Sequence, residues 1–472
     1  MEATEASSTA LAETPARSLA PDNPLLALER VYRTFRQPGA GMRRGGRVTQ
    51  VSATHFRVRG LSESTRLGDV VEFRGERGNR SGEIVQIGVD DVIVAPYEKC
   101  DDIVLNQPVH VDRGVVIVPD EGWRGRAVDA LGRPIDDHGP LPRGVRTGEA
   151  APVTPSPLAR QRVETAFRTG VRVIDIFTPL CYGQRIGIFA GSGVGKSTLL
   201  AMLAAADAFD TVVVALVGER GREVREFLED TIGEATMAKT VAVVATSDES
   251  AMMRRRAPDT AMRVAEHFRD RGHRVLLVLD SITRLAHALR EVAIGSGEPP
   301  IARGYPASVF TDLPRLLERA GPGTDGAGSI TAIISVLVDG DDHNDPVADS
   351  VRGILDGHVV LERAIAEQGR YPAVNPLASV SRLAGKAWRD DERALAMRLK
   401  AMISRFEDTR DIRLLGAYQA GTDPELDQAV RQVPVIYEAL MQSPGDPVSH
   451  DPFADLARHL KSREKPVERP AE

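Results

Sequence analysis

The strongest chemical signal in the chain is the stretch Ile186-Gly-Ile-Phe-Ala-Gly-Ser-Gly-Val-Gly-Lys-Ser-Thr-Leu-Leu200. An apolar run passes through a glycine-rich turn into a second apolar run, which reads as strand, loop and helix. Glycines at 191, 193 and 195 let backbone N–H groups wrap phosphate oxygens, and the N-terminus of the following helix adds the positive end of its dipole. The nucleotide-binding candidates are therefore Gly191, Ser192, Gly193, Val194, Gly195, Lys196, Ser197 and Thr198, with Lys196 on the β- and γ-phosphates and Ser197 on Mg²⁺. The strict Walker A pattern wants glycine six residues before the lysine, and Ala190 stands there instead. A glycine-rich turn with a chance Lys-Ser is the plain alternative, and the apolar runs on both sides argue against it.

A magnesium site also needs a carboxylate at the end of another buried strand, and Arg274-Val-Leu-Leu-Val-Leu-Asp280 supplies one. Asp280 is expected to hold the ion largely through water, because Mg²⁺ sheds its waters reluctantly. Hydrolysis further needs a group that orients the attacking water. Glu219 is the first carboxylate after the apolar run 212–217, although spacing alone leaves open a solvated charged turn, Gly218-Glu219-Arg220-Gly221-Arg222-Glu223. Zinc chemistry and a disulfide framework are not expected: the ten His residues form no HExxH, and Cys100 and Cys181 have no cysteine neighbours at ligand spacing. Asp341-Asp-His-Asn-Asp345, just before Pro346, reads as an acidic turn rather than a metal site.

These groups need a scaffold, and 472 residues are enough for two or three domains. Hydrophobic and charged fractions of 42% and 27% are globular values. A net charge of −7 with 4% aromatics disfavours a nucleic-acid-tracking protein, which needs cations for phosphates and rings for bases. The longest strongly apolar stretch, 330–338, is about half of a bilayer span, and residues 1–23 carry no apolar signal core, so a cytoplasmic chain is expected. Residues 1–22 read as a mobile tail, and Leu25, Leu26, Leu28, Val31, Tyr32 and Phe35 predict a short amphipathic helix. Short β-rich runs at 47–51, 55–58, 70–73 and 83–94 predict a small barrel. After about residue 150, strands near 186–189, 212–217, 241–245, 275–279 and 330–338 alternate with room for helices, the pattern of a buried parallel sheet. Near the end, Leu395, Leu399, Met402, Ile403 and Phe406 mark one helical face, and Val435, Ile436, Ala439 and Leu440 mark another.

Four segments in this order resemble the rotary ATPases related to the α and β subunits of ATP synthase. They are Ala190 to Thr198, Gly218-Glu219-Arg220, Leu276 to Asp280, and Pro372-Ala-Val-Asn-Pro-Leu-Ala-Ser-Val-Ser381-Arg382. Gly218-Glu-Arg-Gly-Arg-Glu-Val-Arg-Glu-Phe-Leu228, Gly297-Glu-Pro-Pro, Gly304-Tyr-Pro-Ala-Ser-Val-Phe310 and Asp345-Pro-Val-Ala-Asp-Ser-Val-Arg-Gly-Ile-Leu-Asp356 are similar to the flagellar and type III secretion export ATPases within that group, as is Ala190. The resemblance implies an α/β fold: a RecA-like P-loop core with a parallel sheet, an N-terminal β-barrel and a C-terminal helical domain. The expected division is a tail at 1–22, helix plus barrel at 23–112, ATPase core at 113–385, helical domain at 386–460 and a charged tail at 461–472.

It also implies roles. Glu219 corresponds to the glutamate that polarises water, and Arg382 to an arginine finger offered to a neighbouring subunit, with a salt-bridged structural arginine as its alternative. Arg284 matches an arginine near the reacting phosphate, and Tyr371 an adenine-stacking tyrosine; a structural arginine and a core tyrosine remain open. Gly421-Thr-Asp-Pro-Glu-Leu-Asp427 occupies the place of a shaft-touching acidic loop or is a plain helix turn. The implied activity is Mg²⁺-dependent ATP hydrolysis coupled to flagellar protein export, by a homohexamer at the cytoplasmic face of the inner membrane. Implied partners are a dimeric regulator at the N-terminal segment, a coiled-coil stalk in the ring pore, export chaperones and the membrane export gate. Rival readings are a virulence secretion ATPase, an ATP synthase β subunit, a Rho-like RNA translocase and a non-hydrolysing ring scaffold.

Overall fold

A computed structural model describes residues 28–29, 31–32, 43–76, 78–99, 101–112, 114–144, 156, 158–338 and 345–463. The expected tails at 1–22 and, from residue 464, at 461–472, most of the helix expected at 25–36, Cys100 and most of the acidic turn at 341–345 lie outside the described residues. Six strands, β1 (Gly45–Val51), β2 (Phe56–Arg59), β3 (Val70–Gly75), β4 (Gly78–Ile87), β5 (Asp91–Pro96) and β6 (Pro108–Asp112), close into a barrel in the order β1-β2-β5-β4-β3-β6. Alternation drives it: Phe56 and Val58 point into a core with Phe73, Ile84, Val92 and Val94, while Arg57 and Arg59 face outward. The run expected at 83–94 is two strands, because the chain turns at 88–90, where the Gly88 N–H donates to Asp91 O at 2.8 Å.

The catalytic candidates ride on a nine-stranded sheet. Its strands include β7 (Arg126–Asp129), β8 (Arg185–Ala190), β9 (Thr211–Val217), β10 (Thr240–Ala245), β11 (Arg274–Asp280), β12 (Ser329–Leu337), β13 (Gly357–Leu361) and β14 (Val380–Ser381). They lie in the order β14-β13-β8-β12-β11-β9-β10-β7, parallel except at β14, with the short strand Gly321–Pro322 antiparallel beside β12. Both faces are covered, which is why the inner strands are largely apolar along their length. Val212, Val214 and Leu216 of β9 pack against helix α1 (Lys196–Ala205), whereas Val213, Ala215 and Val217 meet α2 (Ala251–Arg269) and α3 (Ile282–Gly295). The sheet takes β7 from before residue 150 and β13 and β14 from beyond 338, short strands at or next to its edges that the apolar-run reading did not reveal.

Three long helices, α4 (Asp390–Asp408), α5 (Pro424–Leu440) and α6 (Pro452–Arg463), with the short helix Arg410–Leu414 between the first two, make up the described C-terminal region. On α4 the buried face is Glu392, Ala396, Leu399 and Ile403, and Leu395, expected on that face, is exposed. The face is turned by Glu392, whose carboxylate receives the Arg168 guanidinium. The 421–427 segment is a turn entering α5: Asp423 caps its first N–H groups, and Asp427 accepts from Gly421 N at 2.8 Å.

Candidate active site

The parallel strands deliver their chemistry at one end, where chains leave β8, β9 and β11 side by side around β12. After Ala190 the loop turns through Gly193 at φ 77° and Gly195 at φ 89°, conformations that glycine adopts without a Cβ clash. Lys196 then opens α1, with Ser197 and Thr198 exposed in its first turn. Val194 differs from its neighbours: its side chain is buried in the core beneath the loop, so only its backbone is left for a ligand. The loop residues, Glu219, Asp280, Arg284 and Phe227 line a cleft of about 470 Å³, a volume suited to a small molecule.

Lys196, Glu219, Asp280 and Arg284 meet in this cleft. The Lys196 ammonium bonds Asp280 Oδ1 and lies 3.9 Å from Glu219 Oε1. Arg284 reaches Glu219 Oε2 at 3.1 Å. Ser335, in the middle of β12, donates to Asp280 Oδ1 at 2.8 Å. Burial pushes the Glu219 carboxyl above its ordinary range, the nearby Asp280 charge adds to that, and Lys196 and Arg284 oppose it. Glu219 Oε1 is buried and accepts no hydrogen bond among the described residues. Spacing left Glu219 open between catalysis and a solvated turn; it is 8% exposed, not solvated.

The donors suit a hard cation. Ser197 and Asp280 both offer oxygens to the cleft, and among the described residues no group of three or more His, Cys, Asp or Glu side chains forms a cage. Such a sparse set fits an ion that keeps water and substrate oxygens in its shell.

Tyr371 is half exposed and stands over the loop: a Cβ placed on Gly195 would lie 3.4 Å from its ring. A core tyrosine is thereby excluded. Arg382 is not in the cleft. Ser381 pairs with Gly357, while Gly187 pairs with His358 and Ala190 with Leu361, so Arg382 lies level with the start of β8 and the loop leaves its far end. At about 3.3 Å per residue, the six residues of β8 separate the two by roughly 17 Å along the strand. Arg382 is exposed, its guanidinium touches only Arg352 O at 3.5 Å, and it forms no ion pair among the described residues, contrary to the salt-bridged alternative.

The Ser-x-Ser before that arginine has a mechanical purpose. Ser379 Oγ accepts from Val360 N at 3.0 Å and donates to Asn375 O at 2.6 Å. Ser381 Oγ donates to Pro179 O at 2.9 Å and accepts from Gln184 at 3.1 Å. Sequence reasoning missed Gln184, Ser335 and Arg363, which donates to Ser192 O at 3.4 Å. For Ser335 a signal existed: a hydroxyl inside a largely apolar strand demands a buried partner.

Residues 170–381 match the ATP synthase alpha/beta family nucleotide-binding domain, and residues 388–460 match the T3SS EscN ATPase C-terminal domain. The flagellum-specific ATP synthase of Agrobacterium fabrum is 60% identical over 90% of this chain and 90% of its own. The assembled ATPase EscN of the enteropathogenic E. coli type III secretion system superposes with a TM-score of 0.82 at 39% identity, over 88% of this chain and all of that one. EscN in complex with its central stalk EscO gives 0.79 at 38% identity, again over 88% and all of the respective chains. A phosphate loop, two flanking carboxylates and a matching fold over nearly nine-tenths of the chain thus converge, and the chain belongs to the flagellum-specific and type III secretion branch of the ATP synthase alpha/beta family.

Proposed function

We propose that this chain is the ATP-hydrolysing motor of a type III protein export apparatus, and that the apparatus is flagellar. The flagellar reading is favoured over the virulence one by 60% identity to a flagellum-specific relative against 39% to EscN. In this reading the backbone N–H groups of 191–198 and Lys196 hold the ATP phosphates, and Tyr371 stacks on the base. Ser197 and Asp280 hold Mg²⁺, which when bound neutralises phosphate charge. Glu219 orients the attacking water through its unbonded buried oxygen. Arg284, beside Glu219, turns toward the γ-phosphate, where Lys196 already offers charge.

The observation that carries the mechanism is the separation of Arg382 from its own phosphate loop along the whole of β8. An exposed guanidinium with no carboxylate partner among the described residues suits the site of an adjoining copy, and six copies closing a ring would give every site its arginine. EscN was solved assembled and with its stalk, which supports a homohexamer and a stalk protein in the pore here. A dimeric regulator at the N-terminal segment, export chaperones and the membrane export gate complete the proposed partners. No helix among the described residues is long and apolar enough to cross a membrane, which suits a cytoplasmic chain peripheral to the inner-membrane apparatus.

Mixing two inactive variants tests the shared site. Glu219→Gln chains keep an arginine to lend, and Arg382→Ala chains keep a complete loop, so co-assembled rings should recover part of the ATPase rate. No recovery in a mixture shown to co-assemble overturns the division between chains.

A further inference from the structure

Residues 371–382 carry two groups with different destinations, Tyr371 for the chain's own site and Arg382 for the neighbour's. Both ends of this segment are tied to the C-terminal helices. At one end Gln442, just past α5, donates its N–H to Tyr371 O at 2.8 Å, and Arg370 lies 3.8 Å over the Tyr437 ring. Gln442 is itself fixed, accepting from Arg172 N at 3.0 Å and donating to Gly170 O at 2.8 Å. At the other end Lys400, on α4, donates to Ser379 O at 3.3 Å, three residues before Arg382. That is the one hydrogen bond of the Lys400 side chain among the described residues, and no carboxylate pairs with it. Burial lowers its pKa, so this lysine carries a desolvation penalty that a surface role would not require.

We propose that Lys400 is a positioning residue for Arg382: it holds the Ser379 carbonyl from α4, so that the helices gripping Tyr371 in one site also set the arginine offered to the next. The inference rests on the shared-site reading of Arg382. Its logic is geometric. Arg382 directly follows a two-residue strand and is already tied by its own N–H to Asp356 O at 2.9 Å and by Ser381 Oγ to Pro179 O. Lys400 adds the tie to the C-terminal helices, and displacement of a catalytic group by about 1 Å can cost on the order of a hundredfold in rate.

The test uses full-length Lys400→Met, which keeps the length of the side chain and removes the donor. The expected result is a kcat lower by about tenfold with KM for ATP unchanged, because the variant's own loop and Tyr371 are untouched. Lys400→Arg, which keeps a cation and donor, should restore most of the rate. Lys400→Met should also be complemented by Glu219→Gln chains and not by Arg382→Ala chains, a pattern that a general packing defect cannot produce. Wild-type kcat in Lys400→Met, or a loss that Glu219→Gln fails to complement while Arg382→Ala is complemented, overturns the proposal and leaves the shared site standing. If Arg382→Ala is not complemented either, the shared site itself is what failed. Loss of ring assembly in both Lys400→Met and Lys400→Arg would assign the lysine to packing and also overturn the proposal.

Discussion

The two ends of the central sheet are built on opposite electrostatic plans. At the end where β8, β9 and β11 terminate, Lys196, Asp280, Glu219 and Arg284 neutralise one another in a largely buried cluster. At the other end Arg382 stands exposed, its guanidinium hydrogen-bonded among the described residues only to a carbonyl, with serines bracing its backbone. A buried cluster of this kind is complete only while every charge has its partner. An exposed cation held at fixed backbone geometry looks incomplete by itself, and that incompleteness is what an adjoining surface can satisfy.

Substitutions should expose this difference. Lys196→Ala is expected to abolish turnover, weaken nucleotide binding and, in the nucleotide-free protein, destabilise the fold by on the order of 2 kcal/mol, since Asp280 and Glu219 lose their shared cation. Arg382→Ala should lower turnover by about 10³-fold with ATP affinity and melting temperature unchanged. Nucleotide titration and thermal melts of both variants check the contrast, and equal melting losses would break it.

Ser381→Ala sharpens the comparison at smaller amplitude. It strips the hydrogen bonds to Pro179 O and Gln184 beneath the arginine, which should cost about 1 kcal/mol and several-fold in kcat with little change in KM. Denaturant melts and steady-state kinetics read the two effects separately.

The smallest effect is in pH dependence. The Glu219 carboxyl titrates above its ordinary 4.5 in the folded chain, so its proton is bound more tightly folded than unfolded. Its contribution to stability is full below 4.5 and is lost as pH rises through the folded value. Melts of Glu219→Gln and wild type should coincide in acid, with Glu219→Gln gaining at higher pH. If Glu219 is the carboxylate that orients water, as proposed, it must be ionised to do so, and wild-type ATPase activity should rise over that same window.

The buried end was largely legible beforehand because its chemistry is written in local spacing. Glycines 191, 193 and 195 with Lys196, and an apolar run ending in Asp280, are short-range patterns. Spacing left Glu219 open and only the resemblance singled it out, since a carboxylate in a turn of Glu and Arg is ordinary until Lys196 and Arg284 close on it. The other end was legible only by resemblance. Nothing in the order of residues near Arg382 states that Ser381 pairs with Gly357, a register set by tertiary packing. Leu395 misled because a helix face is defined by what it meets, and Glu392 turned it toward Arg168. Helix α6 went unread because Phe453 and Leu456 are few against its charges.

The placement of Arg382 away from its own loop also gives an assembly a sense of direction. On the shared-site reading each contact joins unlike surfaces, head to tail, and such contacts must either close or run on as an open polymer. In any open arc the terminal chain at one end has a site with no arginine, and the chain at the other has an arginine with no site. Closure is then the only arrangement without a wasted half-site. A chain damaged at Arg382 alone would silence one neighbour and spare itself, so inactive copies would dilute the rate in proportion to their number rather than poison the ring outright.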